Sequence, residues 1–337
     1  MTEVRAFDPA ASAGSLVALW NRRLGTAFPL DERLLLQQLR MERGPSLCLG
    51  AFEGSRGPGE RLVGAALAKV GARGGPEAGR PEGYLSFIVV DAAVSRRGLG
   101  TRLLEGAEVW AAERGAGTIN LGGDSYHFFP GLPLDGSPAS NALDAFLEAR
   151  GFEKNRARVE EDLIADVGAL DLNALAKRSP LAEGYRFRLY EASLREATEA
   201  FLRREFPGRW HLDTVEALEA GMRSLDLALL QEEASGGIVG FSRIYDSGSP
   251  VLGPGLYWRG LMGGSPGALG PIGVSASVRG KGLGLALLRL CLEELAGRGV
   301  RTMVIDWTDL GEFYAKMGFV PWKAYRYCKK ALRRERD

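Results

Sequence analysis

The sequence predicts a mixed α/β (α+β) protein of two tandem domains, each a mixed, mostly antiparallel sheet flanked by helices. Three observations point to this fold class. The chain has 337 residues, enough for roughly two domains. Strand-like and helix-like stretches of the N-terminal half recur in the same order in the C-terminal half. In each half an apolar run leads into a glycine-rich turn and an amphipathic helix, which is typical of a parallel crossover.

The N-terminal half begins with two predicted helices. Residues 10–24 carry apolar side chains at helical spacing, and Asp31 can cap a second helix that runs to about Glu42. A glycine-rich and charged loop is expected at 70–83. Alternating apolar and β-branched residues predict strands, and a further helix follows the glycine turn. The strands are expected at 47–52, 62–69, 84–90 and 118–121, and the helix at 99–114.

The glycine turn and the helix that follows it occur twice at one constant spacing. Gly98 and Gly100 correspond to Gly282 and Gly284, and the match continues through the helix into the next strand. A match that extends over turn, helix and strand indicates an internal duplication. The further matching pairs are Leu103 with Leu287, Leu104 with Leu288, Arg114 with Arg298, Gly115 with Gly299 and Thr118 with Thr302.

The repeat resumes after a gap at a shorter spacing. Residues 146–152 align with 313–319, so the first copy carries an insertion, which falls in the turn-rich stretch 122–145. Each copy is expected to close with one further strand, at about 159–164 and 324–329. The elements of the second copy are expected as strands at 185–189, 227–232 and 237–245 and as helices at 194–205 and 213–224.

These limits predict the domain organisation. An N-terminal domain is expected over residues 1–165 and a C-terminal domain over 184–334. The connector 166–183 is expected to hold a short helix flanked by loops.

Composition and charge exclude several functional classes. The 43 basic and 42 acidic residues almost cancel, which argues against nucleic acid or an anionic membrane as a partner. No apolar run approaches the roughly 18 residues that cross a bilayer, and the first residues lack a signal-peptide core, so we expect a cytoplasmic protein. Three scattered cysteines, expected to be buried free thiols, and only two histidines make no metal site, so no metal is expected.

Three glycine-rich anion motifs compete for the stretch Arg279–Gly284. A P-loop needs a Ser or Thr after its Lys, which is missing here. A dinucleotide fold needs GxGxxG near the start of its βαβ unit, whereas this turn comes late in the domain. The third motif, RxxGxG, fits at every position.

The stretch Gly273–Leu288, together with Tyr314–Phe319, resembles the GNAT superfamily of acyl-CoA-dependent N-acyltransferases. RxxGxG is the pyrophosphate-binding turn of that family, and YxxxGF is its second signature. The resemblance covers essentially the whole chain as two tandem domains. It implies acetyl-CoA as the acyl donor, with an oxyanion-stabilising backbone N–H near Val274. The expected coenzyme-binding residues are Ile272, Gly273, Val274, Arg279, Gly280, Lys281, Gly282, Leu283 and Gly284.

The pantetheine arm of the coenzyme is expected to pair with an open strand edge at Ile272–Val274, next to a bulge near Gly273. Tyr314 stands where the family keeps its general acid. A phenol with a pKa of about 10 is a plausible proton donor to a thiolate with a pKa of about 8.5. The alternative is an ordinary buried aromatic side chain on an amphipathic helix.

The first copy departs from the family pattern. Ser95 stands in place of Arg279, and Leu147 stands in place of Tyr314. We therefore expect this copy to be degenerate and not catalytic in the usual way. Tyr126 or His127 of the insertion is an alternative acid, but packing of that segment is the simpler interpretation. Residues that can still contact a coenzyme in this copy are Val90, Arg96, Arg97, Gly98 and Gly100.

The sequence leaves the general base open. Asp306 ends the strand that faces the glycine turn and is our first candidate. Asp309, Glu312, His211 or a water chain are the alternatives. Because the loops after the first helix often line the acceptor pocket in this family, substrate contacts are expected from Arg209, Trp210 and His211.

The resulting hypothesis is an N-acetyltransferase with an active C-terminal domain. It would transfer an acetyl group from acetyl-CoA to an amine-bearing small molecule or peptide by direct attack in a ternary complex. Alternatives are a non-catalytic acyl-CoA sensor or scaffold, and a single activity shared by the copies. A monomer or homodimer is expected.

Overall fold

The computed structural model describes residues 2–41, 44–57, 59–71, 81–124 and 126–332. The chain forms two compact units. The first comprises Met1–Glu160 with Lys323–Asp337, and the second comprises Glu161–Trp322. The mixed α/β fold class is confirmed, and so is the burial of all three cysteines as free thiols. The part of the expected 70–83 loop at 72–80 lies outside the described residues.

The first half of the chain contains most elements of the first unit and, at its end, one strand that belongs to the second unit. In chain order they are β1 (Thr2–Ala6), α1 (Ala13–Leu24), α2 (Glu32–Met41), β2 (Ser46–Glu53), β3 (Arg61–Gly71), β4 (Glu82–Val90), α3 (Leu99–Glu113), β5 (Thr118–Leu121), β6 (Leu132–Pro133), α4 (Pro138–Glu148), β7 (Glu153–Lys154) and β8 (Glu160–Asp166).

The second half follows the same order with its own variations. Its elements are α5 (Leu172–Arg178), β9 (Tyr185–Leu189), α6 (Arg195–Glu205), α7 (Arg209–Glu219), β10 (Leu227–Glu232), β11 (Ile238–Asp246), β12 (Pro266–Val274), α8 (Leu283–Gly297), β13 (Thr302–Thr308), α9 (Gly311–Ala315), β14 (Val320–Arg326) and β15 (Cys328–Ala331).

Each unit is organised around one sheet with a single parallel pair of strands in its described ladders. In the first, the order is β1-β2-β3-β4-β5-β15-β7, and β4 and β5 are parallel. In the second, the order β9-β10-β11-β12-β13-β8 has β12 and β13 parallel, and β14 lies next to β8. The crossover helices α3 and α8 bury their leucines against these sheets, and this packing forms the two main cores.

The two copies have the same local geometry. The strands β4 and β12, and likewise the helices α3 and α8, have equal lengths and begin at equivalent positions. Gly98 and Gly282 precede these helices with φ angles of 76° and 77°. This left-handed conformation costs glycine little and other residues more, which explains why both turns keep glycine there. The internal duplication is confirmed.

The last strand of each copy lies in the sheet of the other unit. β8 pairs antiparallel with β13, and β15 pairs with β5 and β7. The structure therefore divides the chain differently from the expected consecutive domains 1–165 and 184–334. Ladder pairing uses backbone N–H and C=O groups that every residue provides, so a strand sequence does not determine which of two similar edges it joins.

Three expected elements differ locally from the structure. The helix expected from residue 213 begins at Arg209, and the closing strand expected at 324–329 is interrupted at Tyr327 to give β14 and β15. The insertion at 122–145 is not all turn, because its last part forms α4. Pro138 occupies the first turn of this helix, and the Ser137 side chain accepts a hydrogen bond from the Ser140 N–H, 3.1 Å away.

We expect fragments 1–166 and 167–337 not to fold separately. The first fragment lacks β15 between β5 and β7, and the second lacks β8 beside β13, so each would expose unpaired strand edges. Circular dichroism and thermal unfolding of each fragment, and of the co-expressed pair, test this. The co-expressed pair should recover a cooperative transition. A separate fragment that unfolds cooperatively near the melting temperature of the intact chain would contradict the expectation.

Candidate active site

The parallel ladder of the second sheet ends before β12 does. Pairing with β13 runs from Pro266 to Leu269, whereas pairing with β11 continues to Val274. The expected open edge at Ile272–Val274 therefore lies beyond the last parallel pair. A side chain at Gly273 would collide with the Phe206 ring, which lies 2.5 Å from the position of an added Cβ. The corner after α6 thus lies against this edge.

The bulge that accompanies this edge is at Gly270–Pro271, three residues before the expected position near Gly273. Two residues of β12 face the single residue Arg243 of β11 at that point. Proline has no N–H to donate, and Gly270 has a φ of 150°, so this pair cannot continue a regular ladder. In the first sheet an extra residue, Ser86, occupies the equivalent place.

The glycine turn after β12 is open and carries cationic side chains. Gly280 and Gly282 have φ angles of 79° and 77°, and nothing lies within 4 Å of a Cβ added at either position. Arg279 is exposed, and the Lys281 Nζ lies 3.2 Å from the Tyr185 hydroxyl. Leu283 begins α8, so N–H groups of its first turn face the same region.

Tyr314 is buried in α9, with 6% of its surface exposed. Its ring packs against Phe313 and Phe319 at centroid distances of 5.0 and 6.2 Å. Burial raises the pKa of the phenol well above its usual value, the negative charge of Asp306 adds to this, and a hydrogen bond with Thr308 opposes it. The phenol is therefore protonated at neutral pH and can act as a proton donor.

Asp306 lies at the end of β13, beside the bulge of β12. Its Oδ1 atom is 3.0 Å from the position of a Cβ added at Gly270. Burial raises the pKa of this carboxyl to about 6, the charges of Arg209 and Arg243 oppose the shift, and the charge of Asp213 adds to it. A carboxyl with a pKa near the working pH is suited to accept a proton.

The structure brings Arg209 to the surroundings of Asp306. The Arg209 guanidinium lies 4.7 Å from the ring centroid of Trp307, and its Nε is 3.2 Å from Asp213. All three expected substrate contacts fall in the first turn of α7. Trp210 is 40% exposed and packs on Phe206.

The other candidates for a base lie in different surroundings. Burial and the charge of Arg203 lower the pKa of His211, and the charge of Glu199 opposes this shift. Both charged residues belong to α6, so this helix lies beside the histidine. Asp309 and Glu312 are exposed.

The chain segment that connects β11 to β12 packs on the second sheet. This segment was not predicted from the sequence. A Cβ at Gly255 would lie 2.8 Å from the Val304 carbonyl, and one at Gly253 would meet the Tyr245 ring. The signal available in the sequence was the pair Tyr257 and Trp258 beside Gly-Pro-Gly. The buried residues of this segment are Val251, Leu252, Leu256, Tyr257, Trp258 and Met262.

The first unit keeps a cleft at the equivalent place. The cavity has a volume of 680 Å³ and is lined by β4, the glycine turn and α4. Among the described residues, Arg97 lies outside this lining. Arg23 of α1 and Arg150, in the turn after α4, belong to it and were missed, because both lie far from the glycine turn in sequence. The expected residues that line the cavity are Val90, Arg96, Gly98 and Gly100.

Aromatic side chains fill the inner side of that cleft. Phe129 stacks on Trp20 with 5.3 Å between ring centroids, and Phe128 packs 5.5 Å from the same indole. Leu147 is fully buried nearby in the core. The insertion segment 126–129 thus packs against the sheet, in agreement with the simpler interpretation.

A buried carboxylate, Asp124, also lies beside the bulge of the first sheet. Ser86 donates a hydrogen bond of 2.8 Å to Asp124 Oδ2, and Lys69 lies 2.7 Å from the same atom. The first copy therefore also has a carboxyl at its bulge, but this carboxyl is paired with a buried lysine.

The sequence belongs to the Acetyltransferase (GNAT) family. The family model matches residues 15–129 and again 195–319, together more than half of the chain. This double match confirms the tandem organisation. No curated protein sequence matches significantly.

Solved structures with the same fold include tandem proteins. A glucosamine N-acetyltransferase region of a fungal multi-domain β-N-acetylglucosaminidase has a TM-score of 0.83 at 24% identity and covers 98% of this chain, which spans 38% of that longer protein. A tandem GNAT protein from the clavulanic acid biosynthesis pathway has a TM-score of 0.70 at 17% identity, with both chains fully covered. A GCN5-related N-acetyltransferase from Sphaerobacter thermophilus gives 0.65 at 21%, covering 100% of this chain and 97% of its own. At these identities the likeness establishes the fold.

Two other kinds of site are absent from the part of the chain that the structure describes. Within the described ranges, no helix has the length and apolar character that crossing a membrane requires. No cluster of three or more potential metal ligands occurs in that same part of the chain.

The substitution Asp306→Asn should make the free energy of unfolding less dependent on pH. The pKa of this carboxyl is about 6 in the folded chain against an ordinary value of 3.8, so folding binds a proton between these values. Stability should therefore fall as pH rises from about 4 to above 6, by an amount on the order of 2 kcal/mol after allowance for partial exposure.

Urea denaturation at pH 4 and pH 8 measures the effect. At pH 8 the Asp306→Asn variant should be more stable than the unmodified protein, and at pH 4 the two should be equally stable. Asp309→Asn, a change of the same kind at an exposed position, is the control and should change neither value. Equal effects of Asp306→Asn at both pH values would contradict the assignment.

Proposed function

We propose that the protein is an N-acetyltransferase that uses acetyl-CoA and whose second unit carries out the transfer to an amine. The observation that carries this proposal is the arrangement around the end of β12. An open strand edge, an unobstructed glycine turn and the buried Tyr314 phenol occur together there. In the first copy Leu147 replaces the phenol, and Phe129, stacked on Trp20, lines the equivalent cleft.

The residues of the second unit fit this donor. The turn Arg279–Gly284 offers N–H groups and positive charge to a pyrophosphate. The edge Ile272–Val274 offers backbone groups to the amides of a pantetheine arm and an N–H to the thioester oxygen. These contacts are proposed on the shape and chemistry of the site.

The proposed chemistry needs one proton acceptor and one proton donor. The amine nitrogen attacks the thioester carbonyl carbon, so a C–N bond forms and the C–S bond breaks. Asp306 takes the proton that the amine loses, and the Tyr314 hydroxyl gives a proton to the departing sulfur. Burial keeps the Tyr314 hydroxyl protonated at neutral pH, and the same rise in pKa makes the phenol a weaker acid than an exposed tyrosine.

Tyr314→Phe should lower kcat about 100-fold, because the ring packing is retained while the proton donor is lost. The KM for acetyl-CoA should change little. Thiol release with a responsive amine measures both parameters, and Phe313→Leu, an adjacent core substitution, serves as the control for altered packing. Unchanged kcat in Tyr314→Phe would show that another group protonates the thiolate.

The acceptor is to be sought with a panel of amines. It should contain glucosamine, because the fungal region with a similar fold is named as a glucosamine N-acetyltransferase. Small amines, amino acids, aminoglycosides and peptide N-termini complete the panel. Binding of acetyl-CoA without turnover of any amine would favour a sensor or scaffold instead.

The first unit is proposed to bind acetyl-CoA without transferring its acetyl group. Its 680 Å³ cleft contains the equivalent strand end and glycine turn. Two acetyl-CoA molecules per chain are therefore expected in isothermal titration.

Matched substitutions separate the two sites. Gly98→Asp and Gly282→Asp each place a carboxylate in an anion-binding turn, and aspartate tolerates the left-handed conformation better than most residues. Each should reduce the stoichiometry from two to one, but only Gly282→Asp should abolish turnover. A single site in the unmodified protein, lost in Gly282→Asp alone, would contradict binding by the first unit.

A further inference from the structure

The strand β13 ends in a bulge opposite Asp162. Ile305 pairs with Leu163 and Thr308 with Glu161, so two residues of β13 face one residue of β8. These two residues are Asp306, the proposed base, and Trp307, whose indole supports Arg209. Bulges of this kind commonly redirect a side chain next to an active site.

The backbone at this bulge is unfavourable for its residue. Trp307 has a φ of 43°, in the left-handed region that bulky side chains avoid. The equivalent residue of the first copy is Gly123, with a φ of 73°. Glycine thus adopts this left-handed conformation in the first copy. In the second copy a tryptophan adopts it, and this conformation has to be stabilised by a neighbouring group.

A buried carboxylate supplies this support. Asp162 is 5% exposed, and its Oδ1 accepts a hydrogen bond of 3.0 Å from the Trp307 N–H. This hydrogen bond lies in a buried position, where a backbone N–H without an acceptor would destabilise the fold. It fixes the left-handed residue that directly follows Asp306.

We propose that Asp162 is a positioning residue that directs the Asp306 carboxyl into the active site by holding Trp307 in its left-handed conformation. The proposal rests on the proposed role of Asp306 as the base. Successive side chains of a strand point to opposite faces, so a change of backbone at residue 307 alters the direction of its neighbour. In the present geometry Asp306 Oδ1 lies 3.0 Å from a Cβ added at Gly270. The Arg209 guanidinium, stacked on Trp307, acts on the same carboxyl.

This gives a second role to β8, the strand that the first copy exchanges with the second. Asp162 belongs to β8, which follows the first copy in sequence but pairs with β13 in the second unit. A residue from the non-catalytic copy thereby supports the proposed catalytic site.

The test begins with Asp162→Ala in the full-length chain. We expect kcat to fall about 10- to 100-fold, while the KM for acetyl-CoA stays within about twofold, because the substitution displaces the proposed base and leaves the proposed coenzyme-binding residues unchanged. The acid limb of the pH–kcat profile should shift, since Asp306 would leave its present surroundings. Asp162→Asn keeps an oxygen acceptor and should recover most of the rate. Asp166→Ala, the same change at the exposed end of β8, is the matched control.

A double-substitution cycle separates positioning from general destabilisation. Trp307→Gly allows the left-handed backbone without help, as in the first copy. Adding Asp162→Ala to Trp307→Gly should therefore lower kcat less than twofold further, although the same change lowers it at least tenfold in the unmodified chain. Equal losses in both backgrounds would overturn the proposal. If Asp162→Ala does not fold, Asp162→Leu, which is similar in size and lacks an acceptor, replaces it in the cycle.

Failure of this inference can be told from failure of the proposed base. If Asp306→Asn leaves kcat and the acid limb unchanged, Asp306 is not the base, and the proposal for Asp162 falls with it. If Asp306→Asn removes the acid limb but Asp162→Ala behaves like Asp166→Ala, the base stands and positioning by Asp162 is wrong.

Discussion

In both sheets the parallel strands, β4 with β5 and β12 with β13, stop pairing partway along, and each candidate site occupies the gap beyond. In the second sheet, pairing between β12 and β13 ends at Leu269, immediately before the bulge at Gly270–Pro271. The strand continues as an open edge to Val274, and α8 starts after a turn that leaves its first N–H groups unobstructed. Because proline cannot donate to a ladder and Gly270 has a φ of 150°, this divergence is built into the backbone. The placement of Asp306 beside Gly270 depends on it.

The two copies share one backbone arrangement but surround it with different side chains. Both have the diverging strands, the left-handed glycine before the crossover helix and a carboxyl at the bulge. They differ in what surrounds these features. In the first copy Asp124 is paired with Lys69, and the rings of Trp20 and Phe129 stack nearby in the same unit. In the second copy Asp306 has a pKa raised to about 6 among charged side chains of α7 and β11, and the aromatic Trp210 is partly exposed. The difference between the copies is therefore one of side chains on a shared frame.

The sequence predicted what depends on local patterns. Helices such as α2, capped by Asp31, and the duplicated turn were confirmed because spacing and capping are encoded within a few residues. The destination of β8 and β15 was not predictable, since a strand carries no mark of the edge it joins. The bulge position and the left-handed Trp307 depend on pairing between distant strands. The roles of Tyr314 and Asp306 stay predictions; the negative charge of Asp306 contributes to the raised pKa of the Tyr314 phenol.

The exchanged strands, β8 and β15, limit which parts of this duplicated protein can be lost in evolution. A redundant copy is ordinarily free to be deleted once its activity has gone. Here a deletion that removed the first copy would also remove β8 and Asp162, and would leave β13 with an unpaired edge. Loss of the second copy would take β15 from between β5 and β7. Each half thus supplies a strand that the sheet of the other half requires, whatever chemistry either half performs.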